Sequence, residues 1–158
     1  MTKKAVVYIF YDKNTDKFLV ENRTKDQFLA GEKLFPGGKV EQNELNDLTK
    51  TLIREAKEEL GVDILEFTRL NPTVDGYGEF KLYCYLVTSW NGLIPRKILD
   101  KGSVLEWVDR KTFIPRLKPV QQILNIARSH LAISSYNVID TSAPLSVNFY
   151  VDDDAQSK

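Results

Sequence analysis

The chain has 158 residues, of which 42% are hydrophobic and 28% charged, and its 22 basic and 22 acidic residues give a formal net charge of zero. A chain of this length forms one domain that buries roughly two-thirds of its unfolded surface. The charge balance argues against a large nucleic-acid interface, which needs a clustered basic face. No segment approaches the roughly 20 apolar residues of a membrane helix. We therefore expect a cytoplasmic protein without nucleic-acid or membrane partners.

The N-terminal region predicts a β-hairpin. Its two strands are AVVYIFY (5–11) and KFLVEN (17–22), which are rich in β-branched and aromatic residues and flank the turn-forming segment DKNTD. Pro36-Gly37-Gly38 then indicates a chain reversal.

A first amphipathic helix is predicted from about Asn46 to Leu60. Leu48, Leu52, Ala56 and Leu60 recur every fourth residue and form one apolar stripe. Gly61 stands where a helix C-cap is expected.

The second half repeats the order of strands and then a helix. VDILEF (62–67) resumes extended structure, EFKLYCYLVTSW (79–90) is the longest strand and is apolar enough to be central, and VLEWVD (104–109) is a further short strand. A second amphipathic helix begins at Pro119, with Val120, Ile123, Leu124 and Ala127 on one side. This order predicts an α+β fold, an α/β/α sandwich with a mixed β-sheet.

Two smaller features of the sequence are its single cysteine and its C-terminal segment. Cys84 is the only cysteine, so no intrachain disulfide forms, and its apolar surroundings indicate a buried, inert thiol. Near the C-terminus, SVNFYV (146–151) could be an edge strand, which could pair across a homodimer, and DDDAQSK (152–158) is typical of a frayed acidic end. The chain is expected to be a monomer or a homodimer.

The first helix also carries three glutamates, Glu55, Glu58 and Glu59. They stand three and four residues apart, so they project from one side of the helix. Three carboxylates this close repel one another unless protons or a divalent cation neutralise them, and hard oxygen ligands suit Mg²⁺ or Mn²⁺. Taken alone, the cluster is more typical of a solvated helix face than of a metal site.

The combined pattern around this helix is more specific. Five residues separate Gly38 from Glu44, and Arg54-Glu55-Ala56-Lys57-Glu58-Glu59-Leu60-Gly61-Val62 follows. This resembles the Nudix box of the Nudix hydrolases, G-x5-E-x7-R-E-U-x-E-E-x-G-U, where U is aliphatic. Nine residues separate Glu44 from Arg54 where the family has seven. A two-residue insertion in the loop before the helix accounts for the difference, and it leaves open whether Glu44 partners Arg54.

The resemblance is to MutT-like members and covers roughly residues 4–131. It implies a Nudix domain over residues 1–131, followed by a C-terminal extension over 132–158. It also implies hydrolysis of a diphosphate bond in a nucleoside triphosphate or another nucleoside diphosphate derivative, with water attacking phosphorus and Mg²⁺ (or Mn²⁺) as cofactor. By position in the motif, the metal ligands are Glu55, Glu58 and Glu59 with the carbonyl of Gly38, and Arg54 holds the carboxylates and the loop in place.

The general base and the substrate are less closely defined. By the resemblance, the base is either Glu55 or Asp100, which lies in the loop before the Trp-containing strand; Asp100 is equally typical of a turn. Phe35 and Tyr77 could stack on a base or belong to the core. With Arg23 they form the expected substrate-binding set. Tyr77 lies fifteen residues past Val62, where dinucleoside-polyphosphate members carry a Tyr.

Two alternatives to a nucleoside triphosphatase therefore stay open. One is a dinucleoside polyphosphate hydrolase. The other is a catalytically silent Nudix domain that binds a nucleotide as a regulator.

Overall fold

The computed structural model of the protein describes residues 2–137, with side chains to residue 133. Its elements are β1 (Lys3–Asp12), β2 (Lys17–Asn22), β3 (Lys33–Leu34), β4 (Gly37–Lys39), a 3₁₀ helix (Gln42–Glu44), α1 (Leu48–Leu60), β5 (Asp63–Arg69), β6 (Val74–Asp75), β7 (Phe80–Asn91), β8 (Val104–Asp109) and α2 (Lys118–Asn137). Among the described residues, no helix is long and apolar enough to cross a membrane.

The first strand, β1, connects all parts of the sheet. It runs antiparallel to β2 at one end, where Tyr11 lies opposite Phe18, and parallel to β7 from Lys3 to Phe10. β4 pairs with β1, β8 and β3 flank β2, and β5 and β6 both pair with the edge of β7 that faces away from β1. The sheet is therefore mixed, with the long strand β7 inside it, as the apolar sequence of that strand predicts.

Each face of the sheet packs against one helix. Alternate residues of β1 divide between the two faces, as the period of a β-strand requires. Val6, Tyr8 and Phe10 lie in a buried cluster with Leu52, Ala56 and Leu60 of α1. Val7 and Ile9 lie in a second cluster, together with the apolar side of α2: Val120, Ile123, Leu124 and Ala127. The predicted α/β/α sandwich is confirmed.

The element bounds agree closely with those expected from sequence patterns. β2 and β8 have the predicted bounds, the hairpin is present, and α1 begins at Leu48, close to the expected Asn46. Cys84 is fully buried.

Three points in the structure differ from the sequence-based expectations or lie beyond its described part. Gly37 and Gly38 do not form the expected chain reversal, because both belong to β4 and pair with β1. α2 continues to Asn137, so the domain boundary expected after residue 131 lies inside this helix. The candidate edge strand 146–151 and the acidic end lie outside the described residues.

Candidate active site

The Gly37-Gly38 pair allows β4 to lie against both β1 and α1. A Cβ atom on Gly38 would lie 2.1 Å from Oε2 of Glu55, and one on Gly37 would lie 2.1 Å from the carbonyl oxygen of Val6. Neither glycine has a positive φ, so each is required for close approach and not for a turn. The backbone of Gly38 is thus held directly beside the Glu55 carboxylate.

Helix α1 is defined at both ends by capping residues. Asp47 accepts a hydrogen bond from the backbone N–H of Thr49 at 3.1 Å, and Gly61 adopts the left-handed conformation with its N–H donating to the carbonyl of Lys57 at 3.0 Å. These caps set where α1 begins and ends.

The three glutamates of α1 differ greatly in exposure. The side chain of Glu58 is 53% exposed, that of Glu55 is 13% exposed, and that of Glu59 is 1% exposed. The cluster therefore extends from solvent into the interior and is not a uniformly solvated helix face. Burial raises the pKa of Glu55, and the neighbouring Arg54 opposes that rise.

Arg54 connects the acidic helix to the loop before it. Its Nε and Nη2 donate to the two oxygens of Glu44 at 2.7 and 3.0 Å, and Nη2 also donates to the carbonyl of Lys39 at 3.1 Å. Its Nη1 donates to Glu55 at 3.0 Å and to Glu58 at 3.1 Å. Glu44 thus partners Arg54 despite the two-residue insertion, because the turn between the 3₁₀ helix and α1 takes up the extra length.

Glu44 is buried, and its charge is stabilised locally. Thr51 Oγ1 and the backbone N–H of Glu41 donate to it at 2.7 and 3.1 Å, in addition to Arg54. The hydrogen bonds from Arg54 are the largest cause that lowers its pKa, which falls to about 2.

Glu59, the most buried of the three, has two partners from other parts of the fold. Its Oε1 accepts a hydrogen bond from the hydroxyl of Tyr8 in β1, and its Oε2 accepts one from Nζ of Lys101 at 3.0 Å. Burial raises the pKa of Glu59 to about 7, although both hydrogen bonds act in the opposite direction.

A cavity of about 820 Å³ opens beside these groups. Its charged lining includes Glu55, Lys39 and Lys101. Its remaining lining is largely apolar and aromatic and comes from β1, the segment 28–35 that includes β3, the turn before β7, β7 itself and the start of α2. These residues are Val7, Phe28, Leu34, Phe35, Tyr77, Phe80, Leu82, Val120 and Ile123. One cavity therefore presents both charged groups suited to phosphates and a surface suited to an aromatic base.

The predicted substrate-binding residues meet in this cavity. Arg23, Phe35 and Tyr77 all line it, as does Gly38. Arg23 donates to Glu21 at 2.9 Å and to the carbonyl of Phe28 at 3.0 Å. The hydroxyl of Tyr77 is buried without a hydrogen-bond partner among the described residues.

Asp100, the other predicted candidate for the base, lies elsewhere. It is exposed in the turn before β8 and does not line the cavity. The next residue, Lys101, does, and it also contacts Glu59.

The donor set beside Gly38 fits a divalent metal ion in its chemistry. Three carboxylates and a backbone carbonyl are the hard oxygen ligands that Mg²⁺ and Mn²⁺ prefer. In the described part of the chain, however, no three acidic side chains converge into a formed metal site. Glu55 and Glu58 turn toward Arg54, and Glu59 turns toward Lys101 and Tyr8. The carboxylates are thus suited to a divalent metal ion, and in this structure the cationic side chains of Arg54 and Lys101 contact them.

The comparisons with known proteins agree with the fold and the motif. The family model of the NUDIX domain matches residues 1–125. This chain belongs to the Nudix hydrolase family. It is 36% identical over 103 residues to an 8-oxo-dGTP diphosphatase of Buchnera aphidicola (65% of this chain, 74% of that protein). It is 32% identical over 97 residues to an 8-oxo-dGTP diphosphatase of Proteus vulgaris (60% of this chain, 81% of that protein).

Solved structures show the same fold at lower identity. A MutT structure from a study of Aliivibrio salmonicida and Vibrio cholerae superposes with a TM-score of 0.65 at 23% identity, covering 79% of this chain and 98% of that one. The NUDIX domain of Shewanella oneidensis NrtR, complexed with ADP ribose, superposes with a TM-score of 0.66 at 18% identity, covering 83% and 89%. The predicted family, fold and enzyme class of this Nudix hydrolase are confirmed.

Two partners of Glu59 were not predicted from the sequence. The alternation of side chains along β1 places Tyr8 on the α1 face with Val6 and Phe10, so the sequence carried a signal for the position of Tyr8. Nothing local indicated Lys101, because its contact with Glu59 joins residues 42 positions apart.

Proposed function

We propose that this Nudix hydrolase cleaves a diphosphate bond of a nucleoside triphosphate, or of a related nucleoside diphosphate derivative, with Mg²⁺ or Mn²⁺ as cofactor. The observation that carries the proposal is the shared cavity, in which Glu55 and Lys101 line the same space as Phe35 and Tyr77. A nucleotide combines an anionic phosphate chain with a flat aromatic base, and this lining offers partners for both. Nucleotide metabolism also suits the expected cytoplasmic setting, whether the protein is a monomer or a homodimer.

The residues have distinct roles in this mechanism. Glu55, Glu58, Glu59 and the carbonyl of Gly38 would hold the metal, which when bound supplies charge neutralisation at the phosphate oxygens and lowers the pKa of water. Arg54 holds the carboxylates and the Glu44 loop in register.

Glu55 is the general base that the geometry supports. Its carboxylate lines the cavity, where it can accept a proton from the attacking water, and burial raises its pKa. Asp100 stays a prediction for this role, which would require its loop to turn into the cavity. The comparison of Glu55→Gln with Asp100→Asn tests the assignment: we expect kcat to fall by about a hundredfold or more only in the first variant.

The substrate itself is best sought among oxidised and common nucleoside triphosphates. Two relatives carry the name 8-oxo-dGTP diphosphatase, so 8-oxo-dGTP is the first compound to test. Dinucleoside polyphosphates belong in the same panel because Tyr77 lies in the cavity against the exposed ring of Phe28, with ring centroids 5.8 Å apart. Within the described part of the chain, the Tyr77 hydroxyl has no hydrogen-bond partner. ADP-ribose completes the panel.

The test is metal-dependent release of phosphate or pyrophosphate from this panel, with Glu58→Gln as the active-site variant. Glu58 is exposed, so its replacement leaves the core intact. Glu66→Gln is the matched control, because Glu66 is an exposed glutamate of β5. We expect turnover in the wild type and in Glu66→Gln and its loss in Glu58→Gln. Binding of a panel nucleotide without turnover would instead favour the silent regulatory domain.

A further inference from the structure

Lys101 stands at the tip of a tight turn that is attached to α1. The backbone N–H of Leu99 donates to the carbonyl of Glu59 at 3.0 Å, and the N–H of Gly102 donates to the carbonyl of Ile98 at 2.9 Å. Gly102 has a φ of +76°, which closes the turn. This backbone places the ammonium group beside the buried end of the glutamate cluster.

Both oxygens of Glu59 are occupied by partners that differ in mobility. Tyr8, which holds Oε1, is fully buried in the core. Lys101, which holds Oε2, is 43% exposed on its side chain, and a lysine stem is long and flexible. A cation bound by Glu59 must share or take over one oxygen, and Lys101 is the partner that can leave without disturbing the core.

The cavity offers a position for the ammonium group once it has left Glu59. Lys101 lines the cavity together with Lys39 and Arg23. Arg23 is already engaged by Glu21 and by a backbone carbonyl. The two lysines are therefore the cations of this lining that are best placed to meet a phosphate group.

We propose that Lys101 is a built-in counter-ion of Glu59 that gives way to the divalent metal and then contacts a phosphate group of the substrate. This inference rests on the proposed function for its second half, since it names a further residue of the same site. Lys101 thus has two partners in turn. Before the metal arrives it neutralises a buried carboxylate, which would otherwise be costly to keep charged. Afterwards it adds positive charge to the phosphate-binding part of the cavity.

The two halves of the proposal predict opposite changes in the variant Lys101→Met. Without the competing ammonium group, Mn²⁺ measured by calorimetry in the absence of nucleotide should bind about two- to fivefold more tightly, as expected for loss of a partly exposed ion pair. At saturating Mn²⁺, the non-hydrolysable probe imidodiphosphate should bind about tenfold more weakly or worse, because a charge-assisted hydrogen bond is lost.

Three further variants separate this role from general electrostatics. Lys97 is an exposed lysine of the same loop, so Lys97→Met should change neither the Mn²⁺ affinity nor the imidodiphosphate affinity. Lys39→Met should weaken imidodiphosphate and leave Mn²⁺ binding unchanged, because in the described structure Lys39 lines the cavity without contacting Glu59. Lys101→Arg should restore imidodiphosphate binding toward the wild-type value. Lys101→Gln repeats the test if thermal unfolding shows that the methionine variant is unstable.

Two results would overturn the inference. Mn²⁺ binding that is unchanged or weaker in Lys101→Met would mean that the lysine does not occupy a place the metal needs. Unchanged imidodiphosphate binding would mean that it does not contact phosphate. A wild type that binds Mn²⁺ but hydrolyses no nucleotide of the panel would refute the proposed function. The role of Lys101 would still be decided, because Mn²⁺ and imidodiphosphate binding are measured without turnover.

Discussion

The contribution of the Glu44–Arg54 pair to stability can be worked out from the structure. The pKa of Glu44 falls from an ordinary 4.5 to about 2 in the folded protein. A tenfold change in proton affinity corresponds to about 1.36 kcal/mol, so the ionised carboxylate contributes about 3 kcal/mol to the free energy of unfolding. The side chain is only 6% exposed, so solvent screens this contribution little.

The sign of the pH dependence follows from the direction of the shift. Because the folded pKa is depressed, the contribution is fully present above the unfolded pKa of 4.5 and is lost as pH falls toward 2. At pH 3.5 about 2 kcal/mol of it would remain. The variant Glu44→Gln keeps the size of the side chain and removes the charge, so its deficit relative to the wild type should shrink over the same range.

The assay is urea unfolding of both proteins at several pH values between 7 and 3.5, in the presence of a chelator so that metal binding does not contribute. Glu66→Gln, on the exposed edge strand β5, is the control and should change the free energy of unfolding by less than about 0.5 kcal/mol. A Glu44→Gln deficit that stays constant with pH, or one below about 0.5 kcal/mol at pH 7, would refute the reasoning.

Three further expectations concern packing and reactivity. Leu52→Ala should lower the free energy of unfolding by about 2–5 kcal/mol, whereas the adjacent exposed Ile53→Ala should cost less than about 1 kcal/mol; equal losses in urea titrations would contradict the burial of Leu52. The Cys84 thiol, whose pKa burial raises to about 12, should resist a thiol reagent until the protein is unfolded, so rapid labelling of native protein would be inconsistent with this core. Gly38→Ala should lower kcat by about tenfold or more, because the added methyl group collides with the Glu55 carboxylate; wild-type kcat in this variant would show that the strand and helix need not approach so closely.

Local patterns predicted the framework of this fold well. The bounds of β2 and β8 and the C-cap of α1 follow from strand composition and from the single residue Gly61, whose signals need no knowledge of the rest of the chain. The end of α2 was harder to predict, because no Gly or Pro follows Leu131 before Asn137.

The acidic part of the site was predictable because its chemistry lies within one helix. The spacing of Glu55, Glu58 and Glu59 is a local property, and it is retained in the structure. The pairing of Glu44 with Arg54 depends on how the inserted residues fold, and the contact of Lys101 with Glu59 depends on two loops meeting in space. The Gly37-Gly38 pair illustrates a second difficulty: its composition signals a turn, while the structure uses Gly37 to approach the backbone of β1 and Gly38 to approach the Glu55 side chain.

The parallel pairing of β1 with β7 has a consequence for how the protein folds during its synthesis on the ribosome. β1 is synthesised first, yet its partner along Lys3–Phe10 is complete only when Val87 has been made. The acidic helix lies between these strands in the chain, so it emerges before β5, β6, β7 and β8 complete the sheet that supports it. Because such non-local contacts form late, a nascent chain exposes apolar strands and an unsupported Glu59 for much of its synthesis. We therefore expect chaperones to bind the growing polypeptide until the middle of the chain has been synthesised.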